Sequence, residues 1–320
     1  MENAIPIIIL HQGNPFYLSN CIHHARIYNP NSTIYLLGDE SNKNQEDVVH
    51  LSIKDYTNSS NEFHYLYRHQ TSNPYNYNLL CFTRWFIIKD LVSELKLKHF
   101  FVLESDELLY CNISFIMSPY LQNDFTVLNH GLCNSILMSY YGLEKFTNFL
   151  LFAYKDKNIL DYLNNQYQQK YFYQGKRINM GGISDMTLMN LFLNTTEHTA
   201  INVTINQNGY WDPYFRYTDG FQIENGLKKI TWNNNLPYAI LINGEMVQIL
   251  GLHFLGGDKM KEFLFLVDKN KEHINPKTLR LFMAKQWVIK IFNGFKRFPF
   301  FVKRFIQSKC CAFWRKWYNL

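Results

Sequence analysis

Three short apolar runs, IPIIIL at 5–10, TIYLL at 33–37 and HFFVL at 99–103, constrain the fold of this chain more than any other feature. They lack the polar alternation of a half-exposed strand, so each reads as a strand buried on both faces, as in a parallel sheet. Helical patterns lie between them. Residues 15–28 open with Pro15, which suits the first turn of a helix. Residues 76–96 place Phe82, Trp85, Ile88, Val92 and Leu95 at three- and four-residue spacing, one apolar stripe of a longer helix. This alternation predicts an α/β fold with right-handed crossovers. Further strands are expected at 125–129, 200–205 and 248–254, and helices at 143–172 and 184–195, the latter with Ser184 as N-cap. Residues 206–245, rich in Asn, Gly, Tyr and Trp, read as loop or irregular sheet.

With 320 residues, 47% apolar and 17% aromatic, the chain can bury a large core, which argues against disorder. Its N-terminus has a short apolar run and no basic region before it, and no run reaches the roughly 18 apolar residues of a membrane span. The expectation is a protein neither secreted nor membrane-spanning. Six cysteines without CxxC spacing read as reduced thiols, pointing to the cytosol. Charge is divided unevenly. Eleven of the 32 Lys and Arg residues lie from His273 onward with none of the 26 acidic residues, leaving 21 basic against 26 acidic side chains before them. The expected division is a catalytic domain over 1–270 and a basic, aromatic tail over 271–320.

The run FFVL is followed at once by Glu104, Asp106 and Glu107. Ligands of open α/β sheets bind beyond the carboxyl ends of strands. Glu104 and Asp106, two residues apart, face the same way in an extended strand end and can converge on a hard cation. An acidic triplet is equally an ordinary solvated turn. The segment GLHFLGGDK at 251–259 adds a histidine at a strand end, two glycines and a lysine. His253 can complete a carboxylate–carboxylate–imidazole set suited to Mn²⁺ or Mg²⁺. Gly256 and Gly257 admit close backbone approach, and Lys259 can meet a phosphate as a point charge.

Together these two motifs resemble the glycosyltransferases of the GT-A fold, a Rossmann-like mixed central sheet flanked by helices. HFLGGDK is similar to the His-x-x-Gly-x-x-Lys pattern of retaining galactosyl- and glucosyltransferases, including glycogenin-like and bacterial lipooligosaccharide enzymes. The resemblance implies Glu104 and Asp106 as the Asp-x-Asp pair of metal ligands, His253 as the third, and Gly256 and Lys259 at the donor diphosphate. It implies His11 to Asn14 near the base and ribose, Arg84 reaching the donor, and Asn134, in CNSILM, at the donor sugar. SDMTLMN at 184–190 is similar to Asp-Gln-Asp-x-x-Asn and retains Asp185 and Asn190. Glu104 replaces the first Asp of the pair, and Met186 and Thr187 replace Gln and Asp, so retention and inversion of configuration both stay open. An inverting reaction would use Asp185 or Glu107 as base.

The resemblance further implies an enzyme moving a hexose from a nucleotide sugar, UDP-linked, to a saccharide or lipid-linked acceptor in surface polysaccharide or lipooligosaccharide synthesis. The tail mixes Lys and Arg with Phe and Trp around Pro299, which reads as two helices at an anionic membrane surface. A peripheral position on the cytoplasmic membrane face is therefore expected. Nucleic acid is not an expected partner, because the acidic body offers no basic groove to match the tail. A non-catalytic nucleotide-sugar or carbohydrate-binding protein on a degenerate transferase fold is the alternative.

Overall fold

The computed structural model describes residues 4–129, 135–254 and 266; Asn134, Gly256, Lys259 and the expected tail at 271–320 lie outside the described residues. The described residues belong to the unit Met1–His273. Its strands are β1 (Ile7–Leu10), β2 (Ile34–Gly38), β3 (Val49–Ser52), β4 (His99–Leu103), β5 (Glu107–Leu109), β6 (Phe125–Val127), β7 (Ser135–Ser139), β8 (Phe172–Tyr173), β9 (Lys176–Arg177), β10 (Ala200–Asn202), β11 (Ile205–Asn206), β12 (Gly209–Asp212), β13 (Ile223–Glu224), β14 (Leu227–Lys228), β15 (Ile230–Asn233), β16 (Leu236–Ile240) and β17 (Met246–His253). The helices are α1 (Phe16–Tyr28), α2 (Asn61–Leu66), α3 (Tyr75–Glu94), α4 (Ile113–Met117), α5 (Tyr140–Ala153), α6 (Lys157–Tyr171) and α7 (Asp185–Thr195). Among the described residues, no helix is long and apolar enough to cross a membrane.

The main sheet runs β10-β6-β7-β4-β1-β2-β3. Strands β4, β1, β2 and β3 are parallel, and β7 lies antiparallel between β4 and β6, so the sheet is mixed. The unbroken apolar runs follow from burial on both faces. Ile8, Phe100 and Val102 pack on one side with Phe82, Trp85, Phe86, Phe146 and Phe192 from α3, α5 and α7. Ile7, Ile9, Phe101 and Leu103 pack on the other with Leu18, Cys21 and Ile22 of α1 and Ile113 and Ile116 of α4. Period-two alternation thus sorts one hydrophobic run into two cores. Helix α3 is buried more widely than a single stripe, at Phe82, Trp85, Phe86, Ile87, Ile88, Leu91 and Val92.

The expected helix over 143–172 is two helices, because Asp156 caps a new one, its side chain accepting from Ile159 N at 2.9 Å. Ser184 does cap α7, in a capping box with Thr187. Residues 206–245, expected as loop or irregular sheet, hold β12, β15 and β16 between turns, and these strands join β17 in a second sheet, ordered β11-β12-β17-β16-β15, with a register shift between β12 and β17 and with β5 also paired to β17. Strands β4 and β5 belong to different sheets, so the three residues between them, Glu104, Ser105 and Asp106, stand where the two sheets meet.

Candidate functional site

That junction fixes the site. Glu107 N donates to Glu104 O at 3.2 Å, closing the turn, and Phe254 N donates to Asp106 O at 3.0 Å, tying it to the end of β17. Because β5 is antiparallel to β17 in the register Glu107 opposite His253, the acidic turn and the histidine are brought together although they are far apart in sequence.

Asp106 and His253 meet directly, with Oδ1 and Nε2 separated by 3.4 Å. The imidazole Nδ1 donates to the carbonyl of Pro213 at 2.9 Å, which turns Nε2 toward Asp106. Burial opposes the charged imidazolium, but the hydrogen bond and charge of Asp106, with Glu107 and the Pro213 carbonyl, outweigh it and raise the His253 pKa to about 9. An imidazole whose second nitrogen is committed to a backbone carbonyl, beside a carboxylate, is a donor set that fits a divalent cation. Glu104, expected with Asp106 as the carboxylate pair of metal ligands, is held by Arg84. Its Oε1 accepts from Arg84 Nη1 at 2.5 Å, and among the described residues no three His, Cys, Asp or Glu side chains form a metal-holding group.

Arg84 does more than its expected role toward a donor would require. From α3 its Nη2 donates to Asp185 Oδ2 at 2.7 Å, and Trp85 Nε1 donates to the same oxygen at 3.1 Å. One guanidinium therefore joins the acidic turn to the first residue of α7, with its carbon 4.7 Å from the Trp85 ring centroid. Asp185 is almost enclosed, its side chain 5% exposed.

Glu107, expected as an alternative base, has no exposed surface. Its carboxylate accepts from Ser135 Oγ and, at 2.6 Å, from Trp211 Nε1. Burial raises its pKa to about 7, against the lowering effects of His253, Ser135 and Trp211. A methyl group on Gly251 would overlap Glu107 Oε1 and lie 2.6 Å from Trp211 Nε1, so glycine is what admits this pair beneath β17.

His11 follows β1 and its Nδ1 shares a 2.8 Å hydrogen bond with Ser105 Oγ, placing it beside the acidic turn. Asn14 lies farther out, its Oδ1 accepting from Gln45 Nε2 at 2.6 Å. The loop between them is built from β2: Gly13, at φ +88°, donates to Asp39 Oδ2 at 2.8 Å, and Asn42 Nδ2 donates to the carbonyls of His11 and Gly13 at 2.9 Å. Ser105, Trp211, Asp39 and Asn42 were not among the expected site residues. Asp39 and Ser105 each follow an apolar strand run, the one signal that could have found them.

The sequence matches no family model and no curated protein. Among solved structures the chain is similar to mouse xyloside xylosyltransferase 1 in its apo form, with 7% identity, 60% of this chain and 82% of that one covered, and a TM-score of 0.43. It is similar to the galactosyltransferase LgtC in complex with donor and acceptor sugar analogues, with 9% identity, 79% and 87% covered, and a TM-score of 0.40. It is also similar to the apo glycosyltransferase GlyE of Streptococcus pneumoniae TIGR4, with 12% identity, 62% and 45% covered, and a TM-score of 0.32.

Proposed function

We propose that this chain is a glycosyltransferase of the GT-A type that moves a hexose from a nucleotide sugar, UDP-linked, to a hydroxyl of a saccharide or lipid-linked acceptor in surface polysaccharide or lipooligosaccharide synthesis. The observation that carries the reading is the convergence of His11, the turn 104–106 and His253 at the carboxyl ends of β1, β4 and β17. Asp106 and His253 would hold Mn²⁺ or Mg²⁺. Such an ion supplies electrostatic neutralisation of charge on a leaving diphosphate. Arg84 orients Glu104 and Asp185 through paired hydrogen bonds, and Asp185 at the start of α7 is the group assigned to sugar hydroxyls or the acceptor proton. The enclosure of Glu107 by Ser135 and Trp211 assigns it to supporting β17. Through the tail at 271–320 the protein would sit peripherally on the cytoplasmic membrane face, near a lipid-linked acceptor.

A second reading, a non-catalytic nucleotide-sugar-binding protein, is favoured by one observation: Asp185 Oδ2 is already shared between Arg84 and Trp85. Thermal stability and nucleotide release across UDP-, GDP-, CMP- and TDP-sugars, with and without Mn²⁺, separate the two. Metal-dependent stabilisation with turnover of one donor supports the transferase; stabilisation without turnover supports the binding protein; no response to any donor overturns both.

A further inference from the structure

A lysine with no exposed surface is uncommon, because burial disfavours the ammonium unless a countercharge and hydrogen-bond acceptors receive it. Lys228 is such a residue. The hairpin β13–β14 turns through Asn225 and Gly226, at φ 53° and 79°, a conformation these two residues adopt readily. It carries Lys228 inward, with Nζ 5.8 Å from the Tyr210 ring centroid and 5.2 Å from that of Phe221. There Nζ donates to Asp212 Oδ1 at 2.8 Å and to the carbonyl of Tyr214 at 2.8 Å.

Asp212 and Tyr214 are the two neighbours of Pro213, whose carbonyl accepts from His253 Nδ1 at 2.9 Å. One ammonium thus grips the chain on both sides of the group that orients the imidazole. Pro213 has no N–H to anchor itself, so its position depends on its neighbours. The backbone runs alongside: Asp212 is in register with Leu252, and Phe215 N donates to His253 O at 3.0 Å. Replacing a buried ion pair by well-packed apolar residues is often neutral or stabilising, so stability alone does not account for this one. An apolar side chain could not hold two oxygens flanking a proline.

We propose that Lys228 is a positioning residue of the candidate site: by clamping Asp212 and Tyr214 across Pro213, it holds that carbonyl on His253 Nδ1 and keeps Nε2 turned toward Asp106. The inference rests on reading Asp106 and His253 as cation ligands, and names what sets their geometry. The same clamp would make the site sensitive to the β13–β14 hairpin.

The test compares wild type, K228M and D212N/K228M. K228M leaves Asp212 buried without its countercharge, whereas the double variant removes both charges together and can fold where the single one fails. Melting temperature reports folding, titration with Mn²⁺ alone followed by electron paramagnetic resonance reports cation affinity, and long-range ¹H–¹⁵N spectra report the His253 ring, assigned by its loss in H253Q. The expected result is a cooperatively folded double variant that binds Mn²⁺ about 10- to 100-fold more weakly and has lost the hydrogen-bonded Nδ1–H signal. A folded double variant with wild-type affinity and an unchanged ring signal overturns the proposal. Failure of both variants to fold also contradicts it, since the role would then be structural. If wild type itself binds no Mn²⁺, the cation reading fails, and the ring signal alone decides whether Lys228 sets the imidazole.

Discussion

Arg84 and Asp185, 101 residues apart in sequence, are joined by a 2.7 Å hydrogen bond between Nη2 and Oδ2. The same guanidinium holds Glu104 at 2.5 Å, so two carboxylates from separate elements depend on one cation. Only 13% of the Arg84 side chain is exposed, which limits how far water can replace it.

R84A is therefore expected to destabilise the protein by about 3 kcal/mol, because it leaves the nearly enclosed Asp185 without its cationic partner. R84A/D185N should recover part of that loss. Urea denaturation of both variants checks the pair, and a loss below about 1 kcal/mol in R84A would show that the bridge is dispensable.

D106N keeps the shape of the side chain while removing its charge from His253. Donor turnover by the folded variant in the presence of Mn²⁺ should fall about 100-fold or more. Nucleotide release under saturating metal measures it, and unchanged turnover would remove Asp106 from the proposed reaction.

Glu107 provides a pH dependence. Its folded pKa, raised to about 7, exceeds the ordinary value of 4.5, so the native state favours the protonated form. Stability from this group is present below the unfolded pKa and declines as pH rises through the folded one. E107Q cannot ionise and should escape that decline. Relative to wild type it should gain about 2 kcal/mol in unfolding free energy between pH 5.5 and pH 8. A pH-independent difference between the two proteins in chemical denaturation would mean that Glu107 does not titrate there.

Gly251 is expected to tolerate no side chain. A Cβ would overlap Glu107 and Trp211, both fully buried, so neither can swing away. G251A should cost about 1–3 kcal/mol, read as a lower urea midpoint with an unchanged slope.

For the basic tail, deletion of residues 295–320 is expected to abolish binding to anionic vesicles, at about 1 kcal/mol per basic residue near the surface. Sedimentation with phosphatidylserine vesicles checks it; equal binding of both chains would end the membrane reading.

Much of the main sheet was legible, because runs such as HFFVL are buried on both faces and carry no competing polar pattern. Helix α3 was placed within two residues at each end for the related reason that its apolar content is unusually high. The second sheet was legible only in part, through the strand expected at 248–254 where β17 runs. Its strand β11 is two residues long, and β15 and β16 are divided by an Asn-rich turn with positive φ at Asn234 and Asn235, so local composition reads as loop while long-range pairing makes strand. At the site, proximity of Asp106 and His253 followed from two strand-end motifs. The capture of Glu104 by Arg84 did not, because it joins a helix side chain to a turn in a different element, a contact that spacing along the chain does not encode.

The pairing of β5 with β17 also sets a timetable. During synthesis β5 leaves the ribosome well before its partner, which begins at Met246, exists at all. At roughly 5–20 residues per second, the interval is on the order of ten seconds or more. Throughout it Glu107 lacks His253, and until residue 211 is made it lacks Trp211 too, while Leu108 and Leu109 present an open strand edge. A nascent chain can complete the parallel core β1-β2-β3-β4 early, yet it holds only one half of its acidic turn's environment until the last described strand arrives. The interval is a window in which a chaperone, or another copy of β17, can compete for that edge.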